Sequence, residues 1–328
     1  MPGSIPSRWN SWKPCRPSST SSCAFAASCA RSSASLPRTS TGSVGACSCS
    51  IPSRCRCCWC SSRRFWPCID GAAVSWAFDC LIWSPDMNWK DKRVVVVGGT
   101  SGIGLACTRL AAEAGATVWS AGRNAERRES AAATLADYAS RISWAEADVQ
   151  DRDSLSRLFA AAAPIDVLVL AATGTERAMG PFLQMDIEGF RRSFGKLWGY
   201  ANGIQTGVPH LADDAAVVMV GGAIARKCPP GMIAVSSTGN AIEGFCRALA
   251  PEIAPRRVNV VAPGLIDTGM FEALSEEQRQ GMFEQARGNI PLGRVGQPEE
   301  VAAMILAVAD NRYMTGTTVD VEGGSLLP

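Results

Sequence analysis

The chain has 328 residues, 47% of them apolar, enough for one large α/β domain with sequence to spare and for a sizeable buried core. The formal net charge is +2, but residues 1–86 hold one lysine, eight arginines and three aspartates, a net of +6, which leaves −4 for the rest. A mildly acidic region of catalytic size argues against nucleic acid as the main partner.

Residues 1–86 are rich in Ser, Arg, Pro and Cys and sustain neither a 3.6 nor a 2.0 hydrophobic period. Cys55, Cys57, Cys58 and Cys60 lack the paired spacing of a zinc ribbon and have no histidine nearby. An Arg/Ser-rich, acid-poor leader also fits a transit peptide, although its length and its Trp and Cys load do not. The favoured reading is GC-rich DNA translated upstream of the true start or out of frame, because Met87-Asn-Trp-Lys-Asp-Lys makes an ordinary start just before a first strand. Residues 1–86 are therefore expected to be a disordered or non-native leader, and 87–328 a single domain. The apolar stretch 65–83 is interrupted by Asp70 and Asp79, so no membrane span is expected there. Eleven of the 14 cysteines precede Trp89; Cys107, Cys228 and Cys246, which follow it, read as buried thiols of a reducing, cytoplasmic compartment.

From Arg93 the text changes character. Residues 93–98 form a β-branched run, the sign of a strand buried on both faces of a parallel sheet. The pattern then predicts a helix over 102–114, a strand over 117–121, a helix over 125–138 and a strand over 142–147. A helix over 151–162 follows, capped by Asp151 or Asp153, then a strand over 165–171 and helical text over 185–211. Strands are predicted at 215–220, 258–262 and 317–321, with helices at 235–253, 272–287 and 298–308. This alternation means an α/β fold with a doubly wound parallel sheet of about seven strands.

Directly after the first strand stands Gly98-Gly99-Thr100-Ser101-Gly102-Ile103-Gly104. Without Cβ atoms the backbone can approach a pyrophosphate closely, and the following helix presents free N–H groups and a partial positive charge to it. Glycine-rich turns are common, but this one has the required strand before it and helix after it.

This spacing resembles the glycine pattern of the short-chain dehydrogenase/reductase family, with Val97 where that family usually has Thr. The resemblance runs through nearly all of 90–328 and implies a Rossmann-type sheet. It implies that Gly98, Thr100, Ser101, Gly102, Ile103 and Gly104 take the pyrophosphate. Asp148-Val149 match the segment that holds the adenine, and Ala171-Ala172 stand in the altered segment after the fourth strand. Pro263, Gly264, Ile266 and Thr268 match the nicotinamide end. Pro291-Leu292-Gly293-Arg294, Pro298-Glu299-Glu300-Val301, Thr315-Gly316 and Gly323-Gly324 complete the pattern. The end of the second strand bears on the choice of dinucleotide. An acid there would bind a ribose 2′-hydroxyl and repel a 2′-phosphate, whereas this chain has Gly122-Arg123-Asn124. Arginine is the natural bidentate partner of phosphate, so NADP(H) is expected rather than NAD(H).

At the catalytic positions the family pattern breaks. The family reduces carbonyls with a Tyr that gives the proton, a Lys four residues on that tunes it, a Ser and an Asn. Aligned on Asn240–Phe245, this chain has Val235 and Gly239 at the Tyr and Lys positions, Gly222 at the Ser position and Lys196 at the Asn position. Lys196 is the informative replacement: from the neighbouring helix it can bring an ammonium near the place of the missing one, and Tyr200, one turn on, can share its face. The bland alternative is a surface lysine beside a core aromatic. Ser236, with Ser237 and Thr238, starts the helix of the lost Tyr, as a substrate contact or a cap. His210, the only histidine, reads as exposed or capping, and no metal-ligand set or Ser/His/Asp triad is seen. The expected function is NADP(H)-dependent hydride transfer on an unidentified carbonyl or alcohol, with a non-standard active site. The alternative is a non-redox nucleotide-binding member: a regulatory or scaffold protein, a lyase or an isomerase. A small-molecule substrate, an apolar lid over 269–290 with Met270, Phe271, Leu274, Met282 and Phe283, and a homodimer or homotetramer are implied by the resemblance.

Overall fold

β1 (Arg93–Val97) is nearly all valine because it is buried on both faces: Val94 to Val97 expose 1% or less each. A computed structural model of the protein describes residues 89–173, 177–269 and 275–328. The leader with its cysteine group, the Met87 start, and Met270, Phe271 and Leu274 of the expected lid lie outside the described residues. After β1 come α1 (Gly102–Glu113), β2 (Thr117–Gly122), α2 (Ala125–Thr134), β3 (Ile142–Glu146), α3 (Arg152–Ala162) and β4 (Ile165–Leu170). The second half holds α4 (Ile187–Ser193), α5 (Gly195–Gly207), β5 (Leu211–Val220), α6 (Ile233–Ile253), β6 (Arg257–Pro263), α7 (Glu276–Arg287), α8 (Pro298–Asp310) and β7 (Thr318–Val321).

The seven strands pair in the order β3-β2-β1-β4-β5-β6-β7, all parallel, the Rossmann-type sheet expected from the sequence. Strand alternation sorts the core into two layers. Val94, Val96, Val167, Val169 and Val218 face α1 and α8. Val95, Val97, Leu168, Leu170 and Met219 face α3, α5 and α6. Strand order reverses between β1 and β4, so the chain leaves their C-terminal ends in opposite directions and opens a crevice there.

Most boundaries shift by one or two residues, and the larger differences from the sequence reading include three elements. The helical text 185–211 breaks into α4, α5 and a 3-10 turn Val208–His210 with Pro209 inside it; the first break falls at Phe194, whose N–H bonds back to Arg191 in a tightened last turn. β5 starts at Leu211 rather than 215, because Leu211 already pairs with Ile165; Asp213 and Asp214 lie exposed within an irregularity in register before Ala216 pairs with Val167. α2 stops at Thr134 and a separate 3-10 turn covers Ala136–Tyr138, the chain turning to bury Leu135. Of the two candidate caps for α3, Asp151 is the one used, accepting from Asp153 N at 3.0 Å.

Burial pushes the Cys107 and Cys246 thiols up, Cys246 to about 12. Cys228 is exposed, contrary to expectation, because it sits in the loop before α6. Among the described residues no helix is long and apolar enough to cross a membrane.

Candidate active site

The crevice is built on a turn that tolerates little but glycine. Gly98 has φ +88°, and a Cβ there would lie 2.5 Å from the Ala172 nitrogen; a Cβ at Gly104 would lie 2.0 Å from the Gly98 carbonyl oxygen. The turn therefore lies directly on Ala171-Ala172 after β4. On its far side Thr268 packs against Gly102, at 3.2 Å from where a Cβ would stand. At the start of α1 the Ser101 side chain makes no capping bond and no acid occupies the first turn. The N-terminal amides are thus left to an anion, a fit to the diphosphate of a dinucleotide.

Two buried hydroxyls brace this turn, and sequence reasoning did not single them out. Thr108 donates to Gly104 O at 3.0 Å and lies 3.0 Å from Ser120 Oγ; both residues are fully buried. Their signal was slight: a hydroxyl residue among the small and apolar residues of α1 and one in the middle of β2.

Arg123, beyond the end of β2, lies 3.6 Å from Asp148. Arg128, also missed, donates to Gly122 O at 2.8 Å and Arg123 O at 2.9 Å and pairs with Glu146 at 3.1 Å, so it holds the bend in which Arg123 stands. Val149 is buried, and its carbonyl accepts from Asn202 of α5 at 3.0 Å. After β6, Gly264 donates to Val321 O at 2.9 Å, and Ile266 is buried and bridges Gly296. The residues expected to contact the cofactor thus gather at the C-terminal ends of β1, β2, β3, β4 and β6. Arg279 of α7 pairs with Asp267 at 2.5 Å and covers the Phe283 ring, tying that helix to the Thr268 segment.

Lys196 stands in the first turn of α5, partly buried, and donates to Gly221 O at 3.2 Å. Its Nζ is 5.6 Å from the centre of the Tyr200 ring. Burial of the ammonium, then the positive charge of Arg177, lowers its pKa to about 7. Arg177 was not picked out from the sequence, because nothing in its local text marks it. Tyr200 is fully buried and donates to Val220 O at 3.0 Å, and burial pushes its phenol up. The pair therefore does share a face at the end of β5, with a core Tyr200 but with a Lys196 that is not a surface lysine.

Val235 and Gly239 lie in the first two turns of α6, which begins at Ile233, so Ser236 and Thr238 lie inside the helix and do not cap it. Ser236 points at Ala225 O, 3.4 Å away, and Thr238 bonds Ala234 O at 2.9 Å and Ser193 O at 3.2 Å. That last bond brings α6 beside the chain three residues before Lys196. A Cβ on Gly239 would stand 3.0 Å from the Ala225 Cβ, so α6 rests directly on the turn Ala223–Ala225. His210 lies in the 3-10 turn after α5, partly buried.

A family model described as enoyl-(acyl carrier protein) reductase matches residues 97–325. The 3-oxoacyl-[acyl-carrier-protein] reductase FabG of Chlamydia trachomatis serovar D is 33% identical over 246 residues, covering 71% of this chain and 97% of that protein. A short-chain oxidoreductase from Pseudomonas aeruginosa PAO1, described as containing an atypical catalytic center, matches with TM-score 0.65 at 31% identity, over 72% of this chain and 98% of its own. A small-chain dehydrogenase solved in complex with NADPH matches with TM-score 0.60 at 26% identity, over 73% of this chain and all of its own. With the parallel sheet, the glycine turn and these matches in agreement, the chain belongs to the short-chain dehydrogenase/reductase family of oxidoreductases.

Proposed function

We propose that this protein is an NADP(H)-dependent oxidoreductase that moves hydride between the nicotinamide and a carbonyl or alcohol carbon, with Lys196 serving where the family uses a tyrosine–lysine pair. The observation that carries this reading is the Lys196 amine, held at the Gly221 carbonyl beside the C-terminal end of β5. Val235, Gly239 and Gly222 offer no acid or amine at the positions read as the family's Tyr, Lys and Ser. The NADPH-bound neighbour and the relative named a 3-oxoacyl reductase support the cofactor and the reaction class. The Pseudomonas oxidoreductase, with its atypical center, supports a departure from the usual residues within the family.

In this reading the amides of Gly102, Ile103 and Gly104 hold the diphosphate, Arg123 takes the 2′-phosphate, and Thr268 with Ile266 positions the nicotinamide end. The nicotinamide supplies or accepts the hydride. Lys196 holds the proton at Nζ and gives it to the developing alkoxide, or anchors the ribose as an ammonium. Tyr200, its hydroxyl committed to Val220 O, is a positioning residue that supplies a ring face to the lysine. Ser236 lies on the neighbouring helix α6, with its hydroxyl directed at Ala225 O.

The test is NADPH oxidation followed by absorbance across a carbonyl panel that includes 3-oxoacyl thioesters, beside a fluorescence titration of NADPH. Turnover is expected, and Lys196→Met is expected to lower kcat by about 100-fold, the usual contribution of a positioned proton donor, with NADPH affinity changed far less; a loss of NADPH affinity as large as the loss in kcat marks the ribose-anchoring role instead. Unchanged turnover in Lys196→Met removes the lysine from the reaction. Tight NADPH binding with no turnover on any member of the panel favours a non-redox role.

A further inference from the structure

The end of β2 carries two guanidinium groups with different commitments. Arg128 spends its donors on Gly122 O and Arg123 O at 2.8 and 2.9 Å and on Glu146 at 3.1 Å, so it is part of the bend. Arg123 has a side chain 51% exposed and lies 3.6 Å from Asp148, too far for a good hydrogen bond. The carboxylate on the other side of that contact is fixed. Its Oδ1 accepts from Gln150 N at 2.9 Å, and the Asp148 N–H bonds Ser154 Oγ at 3.1 Å. The guanidinium is the movable half of the pair and the carboxylate the stationary half.

Resting on the NADP(H) reading above, we propose that Asp148 is a specificity-determining residue: it holds Arg123 in a loose ion pair that a ribose 2′-phosphate displaces, and so sets how strongly the phosphorylated dinucleotide is preferred. An exposed ion pair at this separation contributes little, whereas a guanidinium meets a phosphate through two charge-assisted bonds. The exchange of partners is therefore favourable for a phosphate. A 2′-hydroxyl offers Arg123 no charge and leaves the pair in place. The carboxylate that remains also repels the phosphate across a short distance. Asp148 thus lowers the affinity for the phosphorylated nucleotide twice, by competing for Arg123 and by its own charge, and acts on the unphosphorylated one by neither route.

Asp148→Asn isolates this effect, because the asparagine Oδ1 still accepts from Gln150 N and keeps the loop. The full chain is titrated with NADPH and NADH by fluorescence and with 2′,5′-ADP and 5′-AMP by calorimetry, as wild type, Asp148→Asn, Arg123→Ala and the double variant. Asp148→Asn is expected to raise the NADPH:NADH affinity ratio by about 3- to 5-fold, with a matching rise for 2′,5′-ADP over 5′-AMP. In the Arg123→Ala background the same change is expected to have less than half that effect, the difference being the coupling between the two side chains. Ratios unmoved by Asp148→Asn while Arg123 is intact and NADPH is preferred overturn the role of Asp148 alone. A wild type without preference for NADPH, or an Arg123→Ala variant that keeps it, removes the underlying reading and this proposal with it.

Discussion

In the proposed mechanism Lys196 carries most of the chemistry, and its burial can be read from stability as well as from rate. Among the described residues no carboxylate pairs with it; its ammonium meets one carbonyl, an aromatic face and the charge of Arg177. Folding therefore penalises the charged form. The folded chain releases this proton near pH 7, whereas the unfolded chain keeps it up to the ordinary lysine value of 10.5. Between those limits the unfolded state binds more protons, so this group makes stability rise with pH across the window. Lys196→Met keeps the bulk and removes the charge. The variant is expected to be the more stable protein at about pH 6, with the difference shrinking as pH rises past about 7. Melting temperatures of both proteins over that range decide it, and parallel curves would remove the penalty. The rate carries the opposite sign. A lysine that donates its proton must be charged, so carbonyl reduction is expected to fall as pH climbs through about 7. In Lys196→Met the residual rate is expected to lose that limb.

At the scale of elements, what places Lys196 is a stripe of glycines. Gly195, Gly199, Gly203 and Gly207 recur every fourth residue along α5 and so lie on one face. That face presses on the core: a Cβ at Gly199 would lie 2.6 Å from Val149 Cγ2, and one at Gly203 would lie 3.1 Å from Leu170 Cδ2. Two hydrogen bonds clamp the same helix to the loop after β3, Gln150 to Gly195 O at 2.7 Å and Asn202 to Val149 O at 3.0 Å. Alanine at 199 gains about 1 kcal/mol of helix propensity but overpacks a contact that costs about 1–3 kcal/mol, so Gly199→Ala is expected to destabilise on balance. It should also weaken NADPH binding, since Val149 belongs to the segment read as holding the adenine. Urea unfolding measures the first effect, and Val149→Ala in the same chain should recover part of it; a Gly199→Ala protein more stable than wild type would contradict the packing account. The glycine turn has less room still. Gly104→Ala puts a Cβ 2.0 Å from the Gly98 carbonyl oxygen, which is backbone and cannot rotate aside. Its NADPH affinity is expected to fall at least about 10-fold, and an unchanged titration would argue against a diphosphate on this turn.

The same elements mark what was legible in the sequence. β1 and its turn were readable because a strand buried on both faces must be apolar throughout, and a strand-to-helix bend over an anion leaves a glycine signature. α5 was not readable in detail. Four glycines in a helix look like low propensity, and their use appears only once Val149, Leu170 and Leu168 are seen beneath them. The outer end of β5 was lost for a related reason: Asp213 and Asp214 do not look like strand, yet the chain pairs with β4 at Leu211 before them and again from Ala216 after them. Arg128 and Arg177 could not be found, because their significance lies in a bend that forms only on folding and in charges, Glu146 and Lys196, that the fold brings beside them.

For the whole molecule, the question is where the folding unit begins. Trp89 marks a residue that the unit must include. It is 1% exposed, belongs to the core layer shared by α1 and α8, donates its backbone N–H to Ala114 O at 2.9 Å and reaches Asp310 with its indole N–H at 3.2 Å. One residue, through its backbone and its side chain, thus ties the end of α1 to the end of α8 ahead of the first strand. Beyond it, seven strands and both helical layers are complete within the described residues. A chain starting at Met87 is therefore expected to fold with the denaturant midpoint of the full chain and to bind NADPH equally well. A chain starting at Lys92 loses the tryptophan from a packed core and is expected to be about 3–5 kcal/mol less stable. Three urea titrations on the full chain and the two truncations separate the cases. Should removal of residues 1–86 cost as much as removal of Trp89, the leader belongs to the fold, and the reading of that segment as text outside the native protein falls.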